Sequence, residues 1–168
     1  MIRLAKPLIS DQAIKSVVDV LQSGNLVQGE YVRRFEQDIQ EYLGVEHAIV
    51  VTSGTAALHL SLLALEIGPG DEVIIPSFSW PATINVVEIV GATPIMVDIN
   101  LNDYCIDDKK IEQAITKKTK AIIPVHEFGY TADIDSIKKI SKKYNLKIIE
   151  DAACALGSEY KDKKAGTF

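Results

Sequence analysis

Cysteine is scarce in this sequence of 168 residues, where Cys105 and Cys154 are the only two. Neither sits in a CxxC or comparable arrangement, so the spacing supplies neither a zinc site nor a disulfide framework and predicts free thiols in a reducing cytoplasm. Long apolar runs are missing as well. The longest charge-free stretch, Val73 to Val87, is interrupted by Pro76, Pro81 and several polar residues, which excludes a membrane-spanning helix there. The start, MIRLAKPLISDQ, lacks the apolar centre of a signal peptide. There is no excess of basic charge: 18 Lys+Arg against 23 Asp+Glu give a net charge of -5. The doublets Arg33-Arg34, Lys138-Lys139 and Lys142-Lys143 read as solvated helix faces, and binding of nucleic acid through phosphate neutralisation is not expected. Both a Walker loop and a dinucleotide-binding glycine fingerprint are absent. So are internal repeats and low-complexity linkers.

What is present is ordinary globular composition, 47% apolar and 24% charged, in a length that suits one domain or a piece of a larger one. Residues 1–45 read as a helical segment. Ser10 caps DQAIKSVVDVLQS before Gly24, and a second amphipathic helix with Val32, Phe35, Ile39 and Leu43 stops at Gly44. From residue 46 to 168 the rhythm changes. Five apolar runs, AIVVT, EVIIP, PIMVDI, KAIIPV and LKIIED, predict five strands, and they alternate with helical segments. Strands apolar on both faces and separated by helices predict an α/β three-layer sandwich, with a mostly parallel central sheet flanked by helices. Ligands of such sheets sit at the carboxyl ends of the strands, which directs attention to the residues that follow each run.

Three constellations there carry chemistry. In VTSGTAAL, Ser53 caps a helix, Gly54 permits close backbone approach, and the amides of Thr55 and Ala56 point outward from the helix start. That arrangement suits a phosphate, and it also suits a plain Ser-capped helix. Asp151 ends the run LKII, so its carboxylate lies in the crevice and needs a cation or hydrogen bonds; a protonated cofactor ring nitrogen and a local capping role both satisfy it. Glu150 alternates to the other side of the strand. In PSFSWPAT, Phe78 and Trp80 fall on one face of an extended exit, where Trp80 stacks on a flat ring or packs beneath a loop. His126 directly follows KAIIPV and lines the site or bonds locally. No carboxylate or histidine set has the spacing of a metal site.

A phosphate cradle, a stackable aromatic and a strand-end aspartate, in that order, fit a flat phosphorylated pyridinium ring. The chain resembles the DegT/StrS family of pyridoxal-phosphate-dependent sugar aminotransferases, of the aspartate-aminotransferase fold. The resemblance runs through VVTSGTAALHLSLLAL, GPGDEVIIPSFSWPATINVVEIVGATPIMVDI and NLKIIEDAACALGSEYKDKKAGTF. It implies that residues 46–168 are part of a cofactor-binding large domain and that the cofactor is pyridoxal 5'-phosphate (PLP), with pyridoxamine phosphate (PMP) as intermediate. By position it assigns Thr55 and Ala56 to the cofactor phosphate, Trp80 to ring stacking and Asp151 to the ring nitrogen. Gly54, which permits close backbone approach, joins the cofactor-binding set, and His126, from its strand-end position, is expected to line the substrate. Cys154 stands where the family commonly has Gln or His against the ring hydroxyl, and a thiol is a weak donor.

The resemblance further implies transfer of an amino group from an amino acid, glutamate foremost, to a keto-sugar nucleotide in polysaccharide biosynthesis, by a homodimer. The family's cofactor-linking lysine lies downstream of the KAGTF stretch, and Lys161, Lys163 and Lys164 match no catalytic position. The expectation is therefore an amino-terminal part, inert and prone to self-association by itself. Two alternatives accompany it: a PMP-dependent sugar dehydratase of the same family, and a non-catalytic truncated or regulatory protein. A nicotinamide dehydrogenase ranks behind both, because the first strand lacks its glycine fingerprint.

Overall fold

A computed structural model describes residues 6–168, which divide into two compact units between Val50 and Val51. In the first unit, α1 (Asp11–Ser23) is capped by Ser10, whose side chain accepts from the Ala13 amide at 3.2 Å. It is followed by α2 (Glu30–Leu43). Gly24 and Gly44 end these helices at φ 69° and 68°, a left-handed conformation that glycine adopts without steric cost. Neither helix contains a buried residue.

The second unit is built on a four-stranded sheet. Its parallel strands are β1 (Glu72–Pro76), β2 (Thr93–Val97), β3 (Thr119–Ile122) and β4 (Lys147–Ile148), in spatial order β2-β1-β3-β4. The helices are α3 (Gly54–Ala64), α4 (Pro81–Ile89), α5 (Asp108–Ala114) and α6 (Ile134–Tyr144), and a short hairpin of β5 (Glu159–Tyr160) and β6 (Lys163–Lys164) closes the chain. Period-two alternation sorts the core into two halves. Val73, Ile75, Ala121 and Ile123 pack with Leu58 and Leu62 of α3 and Val86 and Val87 of α4. Ile74, Ile122 and Val97 pack with Ile111 of α5 and Ile137 and Ile140 of α6. The central strands β1 and β3 thus bury both faces, whereas the edge strand β2 leaves Met96 exposed. Each fully buried Ile or Leu contributes about 1.5–3 kcal/mol. This is the three-layer α/β sandwich that the apolar runs predict.

One strand is corrected. AIVVT is not in a ladder: it runs without a strand partner among the described residues, and Ile49 is 80% exposed. β-propensity alone does not make a strand, because backbone N–H and C=O groups need a neighbouring chain to pair with. The sheet therefore has four strands where five apolar runs predict five. The last run is also short as a regular strand, although its pairing continues beyond Ile148. The Ile149 amide donates to Ile122 at 3.1 Å, the Asp151 amide to Pro124 at 2.9 Å, and the His126 amide back to Asp151 at 3.0 Å. That extension carries Asp151 to the carboxyl edge.

Candidate cofactor-binding site

Strand order fixes where a ligand sits. From β1 the chain moves to β2 on one side and then to β3 on the other, so order reverses between β1 and β3. A crevice opens at such a switch point outside the carboxyl ends. Three exits converge there: Ser77–Trp80 after β1, His126–Glu127 after β3, and Asp151 after β4. The start of α3 comes to the same edge for a topological reason. Its last turn leads through residues 65–71 to the amino end of β1, where the Asp71 carbonyl accepts from Thr93 at 2.8 Å, so its first turn points toward the carboxyl end. α3 also packs against α4, which begins at that edge.

Asp151 is half-buried and held by two donors. Thr83 Oγ1 donates to one carboxylate oxygen at 3.2 Å and the Ala153 amide to the other at 3.2 Å. Thr83, 1% exposed, is fixed in turn, with its amide on the Trp80 carbonyl at 3.0 Å and its hydroxyl 2.8 Å from Ser79 Oγ. A hydroxyl has one proton to give, so Thr83 spends its own on Asp151 and Ser79 supplies the next. The chain Ser79–Thr83–Asp151 spans two strand exits and pins the carboxylate. Asp151 therefore caps the turn at residues 152–155, as the capping reading expects, while its other carboxylate oxygen is held by Thr83.

At the start of α3, Ser53 Oγ accepts from the Ala56 amide at 3.1 Å. The amides of Gly54 and Thr55 precede that bond in a first turn whose donors have no partners within the helix. A side chain added at Gly54 would meet no atom within 4 Å, so the approach to them is open. Ala56 is already spent on its cap, leaving Gly54 and Thr55 as the free donors. Trp80 precedes Pro81 of α4 and is 79% exposed, which removes the alternative of a ring packed under a loop. It also parts from Phe78. The bend at residues 77–79 breaks strand alternation, and Phe78 instead meets Tyr104 and Phe128 at ring-centroid distances of 5.8 and 6.2 Å.

His126 corrects another expectation, because it does not line the cleft. Its side chain is 0% exposed, with Nε2 3.0 Å from Glu150 Oε2 and Nδ1 accepting from the Ala132 amide at 3.2 Å. An Nδ1 that accepts puts the ring proton on Nε2, which donates to Glu150. Glu150 alternates away from Asp151 and also accepts the amides of Gly166 at 2.9 Å and Phe168 at 2.7 Å. Burial pushes the Glu150 carboxyl up, but the bonds from His126, Phe168 and Gly166 outweigh it and hold the value below 4.5. Lys161 and Lys164 pair with Asp135 and Glu159. Cys154 is exposed and free. Cys105 is buried, and burial pushes its thiol up to about 11, so it is not a reactive thiol.

Two polar residues of this edge escape a reading of the sequence. Thr83 sits in the first turn of a helix, where threonine normally faces solvent, and only the fold brings Asp151 to it. Glu127 lies beside His126 in VHEFG and reads as a loop acid, yet it is 8% exposed and its Oε1 has no hydrogen-bond partner. Among the described residues no group of three or more His, Cys, Asp or Glu is arranged to hold a metal ion, and no helix is long and apolar enough to cross a membrane. Free helix-start amides in open space, a pinned carboxylate, an exposed indole and an unspent buried carboxyl form a donor set that fits a flat phosphorylated ring with a basic nitrogen.

Solved structures share this arrangement of elements. DesV of S. venezuelae, in complex with a ketimine intermediate, superposes with a TM-score of 0.90 at 38% identity, over 94% of this chain and 42% of its own. NtdA of Bacillus subtilis, with bound cofactor PMP, gives 0.86 at 43% identity, over 90% of this chain and 35% of its own. The PLP form of Spr1654 from Streptococcus pneumoniae gives 0.93 at 38%, over 99% of this chain and 46% of its own. The sequence thus spans less than half the length of each of these proteins. Residues 7–168 match the family profile directly, and the chain belongs to the DegT/DnrJ/EryC1/StrS aminotransferase family.

Proposed function

We propose that this chain carries the cofactor-binding half of a PLP-dependent aminotransferase that moves an amino group from an amino acid, glutamate foremost, to a keto-sugar nucleotide. The observation that carries the reading is the Ser79–Thr83–Asp151 chain, a carboxylate fixed at the switch point of the sheet. When bound, PLP supplies an electron sink conjugated to its carbonyl carbon. Asp151 would face the ring nitrogen and favour its protonated form by direct charge pairing. Gly54 and Thr55 would hold the phosphate with free amides at the positive end of α3. Trp80 would cover a ring face. Cys154 follows Asp151 by three residues, a weak donor beside the ring edge.

The two free cysteines support a reducing compartment. Homodimerisation and polysaccharide biosynthesis belong to the same proposal and rest on the family alone. The cofactor-linking lysine is none of Lys161, Lys163 or Lys164, which lie in the β5–β6 hairpin.

Calorimetric titration with PMP tests the reading without requiring that lysine. Saturable binding that weakens at least about tenfold in Asp151→Asn, a loss of about 1.4 kcal/mol, is expected. Equal binding by the variant overturns the assignment of Asp151. Conversion of a keto-sugar nucleotide to its amino sugar with glutamate, in the protein that carries this sequence, separates an aminotransferase from a PMP-dependent dehydratase, which releases water instead.

A further inference from the structure

A carboxyl taken out of water normally finds a donor or a cation. Glu127 has neither. Its Oε1 is the one buried side-chain oxygen or nitrogen without a hydrogen-bond partner among the described residues. Its position ties it to the site. Val125 bridges Asp151, the His126 amide donates to the Asp151 carbonyl, and Glu127 comes next. On the far side of the same turn, a Cβ at Gly129 would lie 3.4 Å from the Cys154 carbonyl oxygen and 3.3 Å from Ser158 Oγ. The Glu127 turn is thus wedged between the strand end that presents Asp151 and the turn that presents Cys154.

The titratable groups facing Glu127 are Asp151 and Cys105, and neither is a cation. The neighbouring imidazole of His126 is fully spent on Glu150 and Ala132. Burial, and then the charge of Asp151, push the Glu127 carboxyl up from its ordinary value. A carboxyl that holds its proton to higher pH than usual gains an O–H donor beside its acceptor oxygen. Nothing in the fold uses the Oε1 end of that group.

We propose that Glu127 is a further binding residue of the Asp151 site, whose orphaned carboxyl hydrogen-bonds an oxygen on the edge of the bound ring. This inference rests on the reading of the site as a seat for a pyridoxal-type ring. It divides the work between two neighbouring acids: Asp151 answers the ring nitrogen, and Glu127, in its protonated form, donates to a ring oxygen. Cys154 stands at the same edge with a much weaker donor.

PMP titrations of the wild type, Glu127→Gln and Glu127→Leu across pH test it, with the Glu127 carboxyl followed by carbon-13 NMR in the same samples. Loss of one hydrogen bond in Glu127→Leu should weaken PMP about tenfold, while Glu127→Gln, whose amide still donates, should stay within about twofold. Wild-type affinity should fall as Glu127 loses its proton, and that limb should vanish in Glu127→Gln. The carboxyl resonance should titrate above the ordinary 4.5 and shift when PMP is added. A Glu127→Leu protein that binds PMP like the wild type, with no shift of the resonance, overturns the proposal while leaving the cofactor reading intact. If Glu127→Leu does not fold, the pH limb in Glu127→Gln decides: its persistence overturns the proposal. Absence of PMP binding in the wild type sinks the cofactor reading itself, and this inference with it.

Discussion

Glu150 and Asp151 are adjacent acids on one strand end, and the sheet gives them opposite lives. Glu150 turns inward, where every bond it needs is present: the His126 ring and the amides of Gly166 and Phe168. It ties the β5–β6 hairpin segment to the sheet through both of its oxygens. Asp151 turns toward the crevice, held by Thr83 and Ala153 but half-buried, beside a carboxyl that has no partner at all. The inward side is a closed network and the outward side an open one. The difference shows how a pleat places a fully bonded acid and a partly open one within two residues. The bonded cluster fixes geometry, and the groups next to it keep hydrogen-bonding capacity.

Glu150→Ala should break the comparison most sharply. It leaves the buried His126 ring without an acceptor and removes the acceptor of the Gly166 and Phe168 amides, and it should cost about 3–5 kcal/mol of unfolding free energy in denaturant melts. The pH dependence sharpens the point. The folded value of Glu150 is depressed, so its contribution is complete above 4.5 and is lost as pH falls through the lower folded value. The stability gap between wild type and Glu150→Gln should therefore close in acid and stay open at neutral pH.

The outward side should respond with the opposite sign. Glu127 has a raised folded value, so its contribution is complete below 4.5 and is lost as pH rises through the folded value. Glu127→Leu removes an unpartnered buried carboxyl and should gain about 1–3 kcal/mol over the wild type at alkaline pH, read as a higher thermal midpoint. A loss of stability there would mean that Glu127 has a partner in solution. Ser53→Ala should cost about 1 kcal/mol, because the Ala56 amide loses its cap. Smallest of all, Trp80→Ala should change stability by no more than about 0.5 kcal/mol, given an indole 79% exposed, while weakening PMP by about two- to tenfold. A large destabilisation by Trp80→Ala would show that the ring packs against protein rather than waiting for a ligand.

Much of this architecture is readable without coordinates. The runs EVIIP, PIMVDI, KAIIPV and LKII announce parallel strands because they are apolar and alternate with helices, and Ile134, Ile137 and Ile140 mark the buried face of α6. Ser10, Ser53, Asp107 and Asp133 are legible as caps because capping is decided within four residues. AIVVT misleads for the complementary reason: local propensity describes a segment's taste for extended backbone, and a ladder needs a second chain. His126 misleads at longer range, since a histidine at a strand end has the same local sequence whether its ring meets solvent or an acid such as Glu150.

The order of apolar runs, the caps and the strand-end position of Asp151 were determined by the sequence alone, because each depends on neighbours a few residues away. Which acid is spent and which is free was decided only by the tertiary structure. Thr83 lies 68 residues from Asp151 and His126 lies 24 from Glu150, and hydrogen bonding across such separations depends on register and pleat that no local pattern encodes.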